Sequence, residues 1–246
     1  MIKKLLIITV VLLLTTYVVM AMTWFNKEPA DAMCRDIEVR IQNNKNHTSF
    51  ITTAELQHML QKSGITVKGK KMSEINCRNI EKQLQKSPFI EKVECYKSPS
   101  HKVCVEVKQR APILRIIADN GEQYYIDHLG SIIPHSGYAV HLPVVTGAIT
   151  KKNADQLLGE LSRCIQNNPF WENQIEQIHV TPSQELEMIP RVGNHVVFLG
   201  KPKNIENKLE RLKTFYQKAL NKVGWNKYVR INLEFTNQII CTKKEK

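Results

Sequence analysis

Asp127, His128, His135 and His141 fall close together in the chain. Imidazoles beside a carboxylate are an ordinary donor set for a divalent transition metal. These residues do not repeat at a helical spacing, and Pro134 and Gly137 place turns between them. The three histidines therefore read as surface-loop residues, and no metal is assigned. Asp127 reads as a turn residue whose carboxylate accepts backbone amides on the way to Gly130. Glu185 and Glu187, at i and i+2 on a strand, share one face. A glycosidase needs two carboxylates across a cleft, so this pair reads as solvated strand residues. Trp171 and Trp225 flank helix ends and read as core. No nucleophile elbow, P-loop or dinucleotide fingerprint occurs. No catalytic residue and no cofactor is assigned, and the chain reads as a protein that binds and positions other proteins.

The N-terminus explains where the rest of the chain works. Lys3 and Lys4 precede an apolar run from Leu5 to Met22. At ~1.5 Å per residue the run spans roughly 27 Å, close to the ~30 Å hydrocarbon core of a bilayer. Thr15 and Thr16 can hydrogen-bond back onto the helix backbone. Trp24 and Phe25 follow at interfacial depth, and the flanking lysines place the N-terminus in the cytoplasm. Val19-Met-Ala-Met22 is a poor cleavage site and the run is longer than a signal-peptide core, so a retained anchor is expected.

About 220 residues follow the anchor, enough for two domains. The net charge is +12, with basic stretches at Lys68–Lys71 and Lys243–Lys246. Outside the cytoplasm this reads as a solubilising excess rather than a nucleic-acid surface. All six cysteines lie beyond the anchor, where disulfides are permitted. Cys95 and Cys104 flank a hairpin turn, but Val93 and Cys95 share a face, as do Val103, Val105 and Val107. Stacking those apolar faces turns Cys104 away with Glu106, so a Cys95–Cys104 bridge is not expected. No CxxC or Cys/His zinc spacing occurs.

The elements that must carry these residues follow from periodicity. Glu28 to Arg35 is a polar linker. Asp36 to Ile41 alternates at period two, a strand with Ile37, Val39 and Ile41 inward. Asn43 to Ser49 is a polar loop. Thr52-Thr-Ala-Glu55 is a capping box that opens a helix carrying Leu56, Met59 and Leu60, stopped at Gly64. After a basic connector, Ile65–Met72, a second helix starts near Ser73, presents Cys77, Ile80 and Leu84, and ends at Ser87-Pro88. Strands Ile90–Lys97 and Lys102–Lys108 complete a β-α-α-β-β order, with both helices covering one face.

Gln109-Arg-Ala-Pro112 closes that unit. Strands are expected at Ile113–Ala118 and Glu122–Asp127 around Asn120-Gly121, a tight-hairpin signal, then at Ser131–Ile133 and near His141–Gly147. A helix over Asn153–Asn167 packs Leu157, Leu158, Leu161 and Ile165. Strands follow at Gln174–Val180, Leu186–Ile189 and Asn194–Leu199. Asn204 is expected to cap a long helix ended by Gly224. Tyr228–Phe235 and Gln238–Thr242 are the last strands. The fold class is α+β.

Taken together, these segments resemble the FtsQ/DivIB family of bacterial cell-division proteins. The resemblance rests on the single anchor, the hairpin with Val103-Cys-Val-Glu-Val107 and Gln109-Arg-Ala-Pro112, and Tyr125-Ile-Asp127-His-Leu-Gly130. It also rests on Leu142-Pro-Val-Val-Thr-Gly147, Leu199-Gly200 before Lys208-Leu-Glu-Arg-Leu212, and Tyr228-Val-Arg-Ile-Asn-Leu-Glu-Phe235. It implies a cytoplasmic tail (1–4), a transmembrane anchor (5–25), a linker (26–35), a POTRA-like β-α-α-β-β domain (36–110) and a mixed β domain with flanking helices (111–246). It further implies a non-enzymatic divisome scaffold in the cytoplasmic (inner) membrane, enriched at the septum. Such a scaffold binds FtsB- and FtsL-like bitopic partners and helps control septal peptidoglycan synthesis by the FtsW–FtsI pair. The implied partner site is Tyr228, Leu233, Phe235, Gln238, Ile239, Ile240, Cys241 and Thr242, engaged by β-strand addition. The other classes weighed are a POTRA-containing transport or secretion accessory protein and a periplasmic cell-wall enzyme.

Overall fold

A computed structural model describes residues 2–25, 32–42, 50–135 and 141–244. Most of the expected linker, the Asn43–Ser49 loop, Gly137, and the side chains of Trp24 and Phe25 lie outside the described set.

The first helix, α1 (Ile2–Phe25), carries an apolar window, Leu6–Thr23, of mean hydropathy 2.4, long enough to cross a membrane. Thr15 and Thr16 donate their hydroxyls to the Leu12 carbonyl at 2.9 Å, and Thr9 donates to Leu6 likewise. Each hydroxyl is thereby satisfied inside the helix, as hydrocarbon surroundings require.

The chain divides into two compact units, residues 1–42 with 51–108, and 43–50 with 109–246. In the first, strand β1 (Asp36–Gln42) is followed by helices α2 (Thr53–Lys62) and α3 (Cys77–Leu84), then strands β2 (Ile90–Lys97) and β3 (Lys102–Gln109). The sheet order is β1-β3-β2, with β1 parallel to β3 in the register Val39↔Val105. Parallel pairing cannot close through a tight turn, so the two helices make the crossover. Leu56, Leu60, Ile80 and Leu84 pack with Val93, Val103, Val105 and Val107 into one buried layer. The opposite sheet face is polar, with the Tyr96 hydroxyl donating to Glu106 at 2.9 Å. The capping box forms as expected: Glu55 N donates to Thr52 Oγ1 at 3.3 Å, and Thr52 N donates to Glu55 Oε2 at 2.7 Å. The second helix departs from expectation. A short 3-10 turn spans Met72–Glu74, and α3 starts only at Cys77, where Asn76 Oδ1 accepts from Asn79 N at 3.1 Å.

The second unit is a nine-stranded mixed sheet. Its strands are β4 (Leu114–Ala118), β5 (Gln123–Ile126), β6 (Ile132–Pro134), β7 (Val144–Gly147), β8 (Ile175–Val180), β9 (Leu186–Pro190), β10 (Val196–Gly200), β11 (Tyr228–Asn232) and β12 (Ile240–Lys243). The spatial order is β12-β11-β10-β9-β8-β7-β4-β5-β6. The parallel steps β7–β8 and β10–β11 are bridged by α4 (Ala154–Asn167) with α5 (Pro169–Gln174), and by α6 (Ile205–Phe215). The helix of α6 continues through a π-helical turn, Tyr216–Leu220, to Val223. Leu157, Leu158, Leu161, Leu209 and Leu212 bury one sheet face. On the other face the Thr146 hydroxyl accepts from Gln177 Nε2 at 3.1 Å and lies 3.2 Å from His179 Nδ1. Asn120-Gly121 turns β4 into β5 in the register Leu114↔Ile126. Gly147 is required where it stands: at φ 105° a Cβ would lie 2.1 Å from the Val180 carbonyl oxygen.

Three expectations are corrected. Helix α5 was not foreseen, because Pro169 and the Asn168 cap open only a short turn. Asn204 sits in the left-handed region at φ 55° and makes no capping bond. Glu160 Oε1 on α4 instead accepts from Ile205 N at 2.6 Å. Glu187 is not a free solvated carboxylate, because Arg230 donates to it at 2.8 Å, and Glu185 lies in the turn before β9.

Candidate docking edge

The last strand is built outward from the core. Ile231 on β11 is buried and pairs in register with Val197, which sets the level of the sheet. Leu233 is also fully buried, and its amide donates to the Phe198 carbonyl at 2.9 Å. Asn232 Oδ1 then accepts from Glu234 N at 2.8 Å and bends the chain off the strand. The chain turns through Thr236-Asn237, and Arg211 on α6 donates to the Gln238 carbonyl at 2.7 Å. That carbonyl is committed to a guanidinium, and the ladder begins two residues on, at Asn232↔Ile240. The strand is therefore Ile240–Lys243 rather than Gln238–Thr242.

Strand β12 ends the sheet, and among the described residues no strand pairs with its outer side. An antiparallel edge of this kind leaves alternate backbone amides and carbonyls directed outward. The side chains alternate as well. Ile239 and Cys241 pack against the core, while Ile240 is 45% exposed and Thr242 and Lys243 are exposed. Phe235, also 45% exposed, lies on the preceding turn. Tyr228 is half-buried, with its ring centroid 6.3 Å from that of Phe215. Of the eight expected site residues, Leu233 cannot face a partner because it belongs to the core beneath the edge. Ile240 and Thr242 form the outward face, with Gln238 and Phe235 exposed just before it.

Sequence reading missed Val229 and Arg211. Val229 is exposed at a register shift between Tyr228 and Arg230. Period-two alternation carries no signal for such an insertion. Arg211 belongs to the polar side of α6, and only folding brings it to Gln238.

The edge carries fixed and free charge. Arg230 is neutralised by Glu187 and lies 4.8 Å from the Phe198 ring centroid. Lys243 and Lys244 are exposed, and the Lys227 ammonium lies 6.0 Å from the Tyr228 ring centroid. Burial raises the Cys241 thiol above its ordinary value, which keeps it protonated.

The residues first weighed for chemistry have structural work. Asp127 is 1% exposed. Its Oδ1 accepts from Leu129 N at 2.9 Å and Ser131 N at 2.8 Å, as the turn reading expects, and Arg110 donates to its Oδ2 at 2.6 Å. His135 stacks on Tyr125 with ring centroids 5.8 Å apart, and His141 is exposed. Trp171 is buried, and Trp225 packs edge-on against Tyr216 at 5.0 Å. Among the described residues no group of three or more His, Cys, Asp or Glu side chains is placed to hold a metal ion.

The architecture is that of a POTRA-like unit followed by a mixed β unit with an open terminal strand, behind one apolar helix. A POTRA-like family profile matches residues 32–108, and the profile described as FtsQ/DivIB, C-terminal related matches residues 111–242. The chain belongs to the FtsQ/DivIB family. Among similar curated proteins is "Cell division protein FtsQ" of Geotalea daltonii, 22% identical over 207 residues, covering 79% of this chain and 73% of that protein. The "Cell division protein FtsQ" of Geobacter sp. strain M21 is 24% identical over 190 residues, 71% of this chain and 66% of that protein.

Proposed function

We propose that this protein is a non-enzymatic scaffold of the cell-division machinery that binds FtsB- and FtsL-like bitopic partners outside the membrane. Through them it helps control septal peptidoglycan synthesis. On this reading residues 1–4 lie in the cytoplasm, 5–25 span the inner membrane, 36–110 form the POTRA-like domain and 111–246 carry the partner site. The carrying observation is that β12 terminates the nine-stranded sheet with its outer side unpaired. A partner strand laid along it would gain backbone hydrogen bonds, each worth about 0.5–1.5 kcal/mol net, and would meet Ile240 and Thr242. The relatives' printed names, which place them in cell division, support the same reading.

The test is co-purification of an FtsB-like partner with the Ile240→Pro chain, alongside Ile240→Glu, which keeps the backbone donor. Both are expected to weaken capture at least about tenfold, equivalent to ~1.4 kcal/mol. Capture unchanged in both, with native circular dichroism and melting, would remove the docking edge. A fluorescently tagged copy is expected to gather at the septum. Even distribution around the envelope throughout division would remove the divisome role.

A further inference from the structure

In the first compact unit, β2 runs back along α3. Two side-chain bonds fix that alignment. Glu81 Oε1 on α3 accepts from the Cys95 backbone amide on β2 at 2.8 Å, and the Lys97 ammonium donates to the Met72 carbonyl just before the helix. Cys77 lies between Met72 and Glu81 in sequence and one helical turn before Glu81, on the same helix face. The two bonds therefore bracket it and bring the first turn of α3 alongside Cys95. Both cysteines are half-buried.

The other thiols of this unit are placed differently. Cys104 faces away from the valine layer that Cys95 joins, and Cys34 is buried with its thiol directed to the Asp36 carbonyl at 3.4 Å. Burial, reinforced by Cys77 and Glu81, raises the Cys95 thiol far above its ordinary value. A thiol so held is a poor first nucleophile.

We propose that Cys77 and Cys95 form a disulfide that ties the first turn of α3 to β2. The pairing rests on the geometry, and its formation in the cell rests on the extracytoplasmic reading above. The oxidant is a protein disulfide. The Cys77 thiolate attacks it, forms a mixed disulfide and releases one oxidant thiolate. Cys95 then loses its proton and attacks the Cys77 sulfur. The second oxidant sulfur leaves as a thiol, so two protein thiols are oxidised and one disulfide is reduced to a dithiol.

The test counts thiols. The full-length chain in detergent is exposed to oxidised glutathione, acid-quenched, alkylated and peptide-mapped. Four of the six cysteines are expected to take the label, with a Cys77–Cys95 cross-linked peptide. The Cys77→Ser chain is expected to label at all five remaining cysteines. Six labelled cysteines in the wild-type chain, or a link through Cys34 or Cys104, would overturn the pairing. The same count on acid-quenched whole cells separates the two premises. A pair that closes in the purified chain but is free in cells upholds the geometry and removes the extracytoplasmic placement.

Discussion

His195 shows how a single side chain acquires a role that its sequence neighbours do not announce. It is buried, its Nε2 lies 2.9 Å from the Tyr216 hydroxyl, and among the described residues its Nδ1 has no partner. Gly193 passes over the ring at φ 85°, where a Cβ would lie 2.8 Å from Nδ1. Burial holds the imidazole below its ordinary value, so it is neutral in the fold. On acidification the unfolded chain takes up the proton first, near pH ~6.5. The stability contributed by neutral His195 is thus present above that pH and lost as pH falls toward the folded-state value. The unfolding free energy of the full chain, measured by urea denaturation, is expected to drop between about pH 7 and pH 5, by about 1.4 kcal/mol for each unit by which the two values differ. His195→Phe should flatten that segment of the profile. Asp127 is the contrasting case. Its turn role was legible because Asp followed closely by Gly is a local signal, while the bond from Arg110 completes it from within the same unit.

At the level of elements, the reciprocal Thr52–Glu55 cap was readable, whereas the single-bond caps at Asn76 and Asn168 and the cap assembled across elements at α6 were not. The Thr52–Glu55 box formed as its spacing predicts. At α6 the left-handed Asn204 contributes no side-chain bond, and a carboxylate from α4 serves the helix N-terminus. Glu160 is therefore an N-cap acting at a distance, favoured also by the helix dipole. Glu160→Ala is expected to cost about 0.5–2 kcal/mol. Chemical denaturation of the full chain measures it, with Asn204→Gly, which removes no such bond and suits the left-handed backbone, as the comparison. The docking edge obeys the same division. Alternation identified Ile239 and Cys241 as one face and Ile240 and Thr242 as the other. The start of the strand depended on Arg211 reaching Gln238, a contact 27 residues away in sequence.

For the molecule as a whole, the apolar helix and the two compact units give the function its setting. The Leu6–Thr23 window carries no charged residue, and Lys3 and Lys4 stand before it. On the proposed reading, the positive-inside rule leaves everything after the helix outside the cytoplasm. Protease added to intact spheroplasts is expected to remove a C-terminal tag, and full protection of the tag until lysis would reverse the orientation.

The amino-acid order settles whatever is decided within a few residues. That includes the apolar span, the helical stripes, the alternating strands, the Asn120-Gly121 turn and the α+β class. It also argues against Cys104 as a partner for Cys95, because face alternation is a local property of a strand. The order of strands is decided elsewhere. Which strand ends the sheet depends on backbone pairing between segments far apart in sequence, and backbone groups are alike in every residue. So β12 as an edge, Leu233 beneath it, Glu160 at the head of α6, and Glu81 on the Cys95 amide emerge only when distant segments are packed together.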